Sequence, residues 1–285
     1  MTRLAITGGR GRLAPLVAQY FEGAGTEVHR FSRREDSEYR DLTRLTDPAV
    51  FSAYDAVIHC AWSTVPFTAE KHPQSGEEQD LPLLRSFLQA ASGGNTLLVF
   101  LSTGAVYGNT GETPATESCP TAPLGHYARA KRAAEHLVEE SGIRAAILRI
   151  SNLLGEKSDP TRPQGILPRL IQAARHGETV TLWGDGHATK DYLHCQDFLA
   201  ALRIIVEQQV TGMLNVAAGE SVSLRELIRM VEDQTGRSIC LTHEPHFPWD
   251  VSFSRLSNRK LCDATRWRPQ LPIPQAVADC LAHTS

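Results

Sequence analysis

Three residues on one stretch of the chain could run redox chemistry on an alcohol: Thr103, Tyr127 and Lys131. Leu97 to Leu101 is a short apolar run with β-branched and aromatic members, as a buried parallel strand requires, and it stops at Ser102-Thr103-Gly104. Thr103 is therefore expected at a strand's carboxyl end, where open α/β sheets bind ligands and a hydroxyl could hold a substrate oxygen. Pro120 and Pro123 break the chain before a helical pattern runs from Leu124 to about Ser141. Tyr127 and Lys131 lie four apart on that helix and share a face. The ammonium can favour phenolate by Coulomb attraction, lowering a phenol pKa that starts at about 10. Such a tyrosine takes a proton from a hydroxyl as hydride leaves, or returns one to a carbonyl. On its own the pair also fits a surface contact; the threonine at a strand end upstream separates the two readings.

Hydride needs a carrier, and the start of the chain is built to hold one. Leu4-Ala5-Ile6 reads as a strand, and Thr7-Gly8-Gly9-Arg10-Gly11-Arg12-Leu13-Ala14 opens a helix to about Gly23. Gly8 allows a tight turn, Gly11 lets backbone N–H groups and the helix N-terminus approach a pyrophosphate, and the small Ala14 lets helix pack on strand. A glycine loop alone could be merely a turn, but here it follows the first strand. Glu27 to Phe31 is a second strand ending at Ser32-Arg33-Arg34. No carboxylate stands there to accept the ribose hydroxyls of NAD, whereas two guanidiniums suit the 2′-phosphate of NADP. The alternative is a solvated basic turn beside Glu35 and Asp36.

Asp55 to Trp62 reads as a buried strand with His59 in its core, residues 63–79 as loop, and Leu81 to Ala91 as a helix. Ala145 to Ile150 is another strand. The polar stretch Gly155 to Gly165, with Pro160 and Pro163, marks a boundary. Helices are expected at Ile166–His176, Phe198–Gln208 and Ser223–Thr235, the last opened by a Ser223/Glu226 capping box, and a strand at Met213–Ala217.

Several of these blocks, in this order, resemble the extended short-chain dehydrogenase/reductase family. Its S-[ST]-x-x-V-Y-G matches Ser102 to Gly108, its Y-x-x-x-K matches Tyr127 to Lys131, its G-x-x-G-x-x-G matches Gly8 onward with Ala14 in the third glycine's place, and its R-x-x-N matches Arg149 to Asn152. Leu182 to Asp197, containing W-G-D-G-x-x-x-K-D-Y-L-H, resembles the nucleotide-sugar epimerase/dehydratase branch. The resemblance implies a Rossmann-type doubly wound parallel sheet over 1–154 and a smaller substrate lobe over 155–285, with the strand near 213–217 rejoining the sheet. It makes Tyr127 the acid/base, Lys131 the group that orients the nicotinamide ribose, and Thr103 the residue that positions the reacting oxygen. For NAD or NADP it points to Gly8, Gly11, Arg12, Leu13, Ser32, Arg33, Arg34, Asp41, Leu42, Ala61 and Lys131. For substrate it points to Thr103, Asn152, Trp183 stacking on a nucleobase, and Lys190 on the diphosphate, where Lys keeps the charge but loses the guanidinium fork. Trp62 stands where the family keeps a small residue, and Phe247 replaces a second diphosphate Arg.

The implied activity is C4 epimerisation of a nucleotide-linked sugar through a 4-keto intermediate, the alternative an NADPH-dependent 4-keto sugar reductase. Dehydration and decarboxylation are disfavoured, because Gly104 and Ala105 follow Thr103 where those subfamilies carry acids. A dinucleotide sensor without turnover would have no need of a tyrosine poised for proton transfer. The resemblance also implies a homodimer paired through the helices at Leu81–Ala91 and Leu124–Ser141.

Composition agrees with a soluble enzyme: 285 residues, 41% hydrophobic, 21% charged, and a formal charge of −3 that argues against a nucleic-acid surface. No apolar run approaches the roughly 20 residues of a membrane helix, and the start lacks a signal peptide's core, so the cytoplasm is expected. The six cysteines show no C-x-x-C spacing, so neither metal nor disulfide framework is indicated.

Overall fold

The computed structural model describes residues 2–155 and 165–283, so most of the polar boundary stretch lies outside the described residues. Along the first half run β1 (Arg3–Thr7), α1 (Leu13–Gly23), β2 (Glu27–Ser32), β3 (Arg40–Asp41), α2 (Pro48–Phe51) and β4 (Ala56–His59). These are followed by α3 (Pro66–Lys71), α4 (Leu81–Ala91), β5 (Leu97–Thr103), α5 (His126–Glu140) and β6 (Ala145–Ile150). The second half adds β7 (Asn152–Leu154), α6 (Ile166–His176), β8 (Thr179–Trp183), β9 (Thr189–His194), α7 (Cys195–Glu207) and β10 (Gly212–Val216). It closes with β11 (Ser221–Ser223), α8 (Leu224–Thr235), β12 (Cys240–Glu244), β13 (Phe253–Ser254), α9 (Arg259–Thr265) and α10 (Ile273–His283).

Seven strands make one sheet in the order β10-β6-β5-β4-β1-β2-β3. β1 pairs in parallel with β2 and β4, β2 with β3, and β4 with β5. From β1 the chain builds one way through β2 and β3, then returns to β4 and builds the other way. The order therefore reverses between β1 and β4, and such a switch point opens a ligand crevice beyond the strands' carboxyl ends. Residues such as Leu4, Ile6, Val57, Ile58, Val99 and Phe100 are fully buried, as strands covered on both faces require.

Two compact units divide the chain: Met1–Val106, Gly125–Arg149 and Leu202–Leu214 form one, and Tyr107–Leu124, Ile150–Ala201 and Asn215–Ser285 the other. The sequence reading drew a boundary between 154 and 155 with a strand near 213–217 returning to the sheet; the two units interleave, with residues 107–124 in the second and 202–214 back in the first. The return is apolar: Leu202, Ile205 and Leu214 are buried, and Met213 packs on the first unit's core of Phe31, Phe51, Leu84, Phe87 and Phe100. The second unit has its own core, with Leu167, Leu170 and Ile171 from α6 against Leu227 and Val231 of α8 and Val277 of α10. α8 opens on its capping box: the Ser223 hydroxyl accepts from the Glu226 N–H, and the Glu226 carboxylate accepts from the Ser223 N–H.

Residues 63–79, expected as loop, contain α3 and a wide helical turn at Gly76–Asp80. Pro66 is pre-set for a first helical turn, and Thr68 Oγ1 accepts from the Val65 N–H at 3.1 Å. Six residues are too few to show a helical hydrophobic period, which is why the sequence hid this helix. Among the described residues no helix is long and apolar enough to cross a membrane.

Candidate active site

β1 ends at Thr7, and the chain turns at Gly8 with a φ of +71°. A Cβ there would lie 2.8 Å from the Ala61 nitrogen, so only glycine fits this approach of two strand ends. The turn is closed by Gly11 N–H donating to Gly8 O at 2.7 Å, and α1 follows from Leu13, flanked by Arg12. Thr7 Oγ1 accepts from the Ala61 N–H at 3.0 Å and bonds His59 Nδ1 at 2.9 Å, fastening β1 to β4. His59 is buried, and burial with the nearby Lys131 charge lowers its pKa to about 3, so it is a neutral core histidine. A tight glycine turn leading into a helix N-terminus, at the switch point of the sheet, fits the pyrophosphate of a dinucleotide.

At the end of β2, Ser32 is buried and its hydroxyl accepts from the Arg34 N–H at 3.4 Å. Arg33 and Arg34 are exposed, with no carboxylate partner among the described residues. The two acids nearby are engaged elsewhere: Asp36 pairs with Arg10, whose guanidinium covers the Tyr39 ring, and Glu35 pairs with Arg44 at 3.2 Å. The Asp41 carboxylate caps the short 3-10 turn that follows, accepting from the Thr43 N–H and hydroxyl at 2.9 Å each, while Leu42 is buried.

Thr103 is the last residue of β5 and half-buried, its hydroxyl oxygen accepting from the Ala105 N–H at 3.2 Å. α5 begins at His126, two residues later than expected, with Gly125 in extended conformation before it. Tyr127 and Lys131 lie on its first turns. Lys131 is buried, and its ammonium donates to Leu101 O at 2.7 Å while covering the Trp62 ring at 3.7 Å from the ring centre. The Tyr127 ring centre is 6.0 Å from that ammonium.

Electrostatics here depart from the expectation. Lys131 does not lower the Tyr127 phenol; burial first, and the Asp80 carboxylate second, raise it to about 12. Burial lowers Lys131 to about 7, with Asp80, Cys60 and Glu135 opposing. The physical reason is that the phenol is buried beside the Asp80 carboxylate, while the Lys131 ammonium is engaged by Leu101 O and the Trp62 face. Asp80 is itself buried, accepting from the Ser63 N–H at 2.8 Å and the Thr64 hydroxyl at 3.3 Å. Tyr127 is therefore a protonated phenol at neutral pH, ready to donate.

Behind these residues lies a buried ionic cluster. Glu135, one helical turn beyond Lys131, takes Arg149 Nε at 3.0 Å and Nη2 at 2.7 Å, and accepts from the Ser102 hydroxyl at 2.6 Å. Arg132 approaches the same carboxylate at 3.3 Å. The cluster ties α5 to β5 and β6 and so fixes Tyr127 and Lys131 relative to Thr103. Sequence reasoning missed Asp80 and Glu135. Only Glu135 left a signal, its position four residues after Lys131.

Of the residues expected to hold substrate, Thr103 is in the first unit, and Asn152, Trp183 and Lys190 are in the second. Asn152, at the start of β7, is exposed and donates to Asp191 O at 3.0 Å. Trp183 ends β8 and stacks on Phe247 at 5.2 Å between ring centres, and Phe247 stacks on Trp249 at 4.7 Å. The Lys190 ammonium is paired with Asp250 at 2.7 Å. The aromatic triple stack was missed because its rings come from segments some sixty residues apart.

Comparison with known proteins agrees with this architecture. Residues 4–217 match the model of the NAD dependent epimerase/dehydratase family. The chain is 28% identical over 271 residues to a UDP-glucose 4-epimerase of Streptomyces lividans, covering 82% of this chain and 81% of that protein. It is 27% identical over 299 residues to a GDP-6-deoxy-D-mannose reductase of Pseudomonas aeruginosa, covering 98% and 96%. The solved structure of the Thermus thermophilus UDP-glucose 4-epimerase in complex with NAD superposes with a TM-score of 0.87 at 25% identity, over 99% of each chain. With three quarters of its length matched in one block, and the glycine turn, strand-end threonine and tyrosine–lysine helix all present, the chain belongs to the NAD dependent epimerase/dehydratase family.

Proposed function

We propose that the protein is an NAD(P)-dependent epimerase that inverts C4 of a nucleotide-linked sugar through a 4-keto intermediate. The observation that carries this reading is the grouping of Thr103 at the end of β5 with Tyr127 and Lys131 on α5, in the unit that also contains the glycine turn. Gly8, Gly11, Arg12 and Leu13 would hold the pyrophosphate, Ser32, Arg33, Arg34, Asp41 and Leu42 the adenosine end, and Ala61 and Lys131 the nicotinamide end. When bound, the nicotinamide supplies hydride acceptance and return. Thr103 would orient the C4 oxygen by a hydrogen bond. Tyr127, once its phenol proton has been lost to water, would take the proton of that oxygen as the alcohol is oxidised and return it to the ketone. Lys131 would orient the ribose and stabilise phenolate as it forms. Asn152, Trp183 and Lys190 would hold the sugar, base and diphosphate.

NADP binding is part of the proposal. Arg33 and Arg34 are exposed without carboxylate partners among the described residues, while Glu35 and Asp36 are taken by Arg44 and Arg10. That pattern, with a phenol that holds its proton, favours one second reading: an NADPH-dependent reductase of a 4-keto sugar nucleotide. A cytoplasmic homodimer paired through α4 and α5 completes the proposal. Incubation with a UDP-hexose and catalytic cofactor, without reductant, tests it. The C4 epimer should accumulate to equilibrium; turnover only of a 4-keto sugar nucleotide, and only with NADPH, would replace the epimerase by the reductase.

A further inference from the structure

Trp62 stands just beyond β4, and two observations show that packing alone does not account for it. Its ring face lies under the Lys131 ammonium at 3.7 Å, closer than the 4.9 Å to Phe100, whose ring meets the indole edge-on at 5.9 Å between centres. Its indole N–H is buried and finds no acceptor among the described residues. A buried donor left unpaired costs about 1–3 kcal/mol, so a residue kept for bulk alone would be better served by phenylalanine. The neighbouring Ala61 is bonded to Thr7 and packed against the Gly8 turn, so the indole belongs to the cofactor end of the site.

We propose that Trp62 is a positioning residue that holds the Lys131 ammonium on its ring face and donates its N–H to an oxygen of the bound dinucleotide. The second half rests on the reading of Lys131 and the glycine turn as the cofactor site; the first does not. The face of an indole attracts a desolvated ammonium more strongly than the other aromatic rings do. The groups that act on Lys131 are Asp80 from the turn before α4, Cys60 and His59 from the end of β4, and Glu135 and Tyr127 on α5. Of these Asp80, Cys60 and Glu135 favour the ammonium, and Trp62 adds to them at its ring face. Held on β5 and Trp62, the ammonium is fixed where a ribose hydroxyl can meet it, and the indole N–H lends a second, neutral donor beside it.

The test uses Trp62→Phe, which keeps a ring but removes the N–H, and Trp62→Leu, which removes both and keeps the site dry. Titration of ε-¹³C-labelled lysine by NMR, with Lys131→Met identifying the resonance, reads the first half. The Lys131 midpoint should fall by about one pH unit in Trp62→Leu and by less in Trp62→Phe, as a cation–π contact of this kind implies. An unchanged or raised midpoint in folded protein overturns the ring-face role, and Trp62→Met replaces the leucine variant if that one does not fold. Calorimetric titration with NADH and NADPH reads the second half: Trp62→Phe should weaken whichever the wild type binds by roughly three- to tenfold. Unchanged affinity overturns the N–H role. If the wild type binds neither dinucleotide, the cofactor reading itself fails, while the lysine titration still decides the ring-face role.

Discussion

Glu135 and Arg149 form a two-pronged ion pair, Oε1 to Nε at 3.0 Å and Oε2 to Nη2 at 2.7 Å, with side-chain exposures of 0% and 3%. It joins the helix carrying Tyr127 and Lys131 to strand β6, and the Ser102 hydroxyl adds β5. A pair so buried contributes little net stability over apolar residues of the same shape, but breaking it strands a charge. Glu135→Ala should cost about 3–5 kcal/mol in urea unfolding, and Glu135→Leu combined with Arg149→Met should recover much of that. A loss under about 1 kcal/mol in Glu135→Ala would show that the pair does not hold the helix.

The lowered pKa of Lys131 makes a statement about stability and pH. Its folded value is about 7, against 10.5 unfolded, so between these values the unfolded chain binds a proton that the folded chain does not. Stability from this group is therefore lowest below pH 7 and rises with pH up to about 10.5, by at most about 1.4 kcal/mol per unit. Lys131→Met should flatten the slope of unfolding free energy against pH across that window. The same slope in both proteins would mean that Lys131 keeps an ordinary pKa.

Removing both guanidiniums, as Arg33→Ala with Arg34→Ala, should weaken NADPH binding by about 2–4 kcal/mol and leave NADH within a few tenths, since only NADPH has the 2′-phosphate. Equal losses for the two cofactors, measured by fluorescence titration, would refute phosphate recognition at this turn.

The proposed homodimer would pair helices α4 and α5, where Leu83, Ala133 and Leu137 are only partly buried against the first unit's core. Light scattering at micromolar concentration should give twice the mass of 31.3 kDa. A monomer mass that does not change with concentration would contradict it.

What the sequence made legible was local. Gly8 and Gly11 in the turn after the first strand, Thr103 at a strand end, and Tyr127 four residues from Lys131 are short-range patterns, and each lies on its expected element. The electrostatics were not legible, because they depend on distant segments. Asp80 raises Tyr127 from 47 positions away in sequence, and Trp62 holds Lys131 from 69 away. The interleaving of the two units was also not legible beyond the strand near 213–217, for a related reason. Residues 107–124 and 202–214 belong to units that their neighbours in sequence do not share.

In the proposed mechanism hydride leaves and returns to C4 while Tyr127 exchanges the proton. It is tested most directly with a UDP-hexose deuterated at C4, the wild type and Tyr127→Phe, followed by NMR. The wild type should form the C4 epimer with the deuterium still on C4. Tyr127→Phe should form none while binding cofactor nearly as well. Loss of the deuterium to water, or turnover by Tyr127→Phe within tenfold of the wild type, would contradict it.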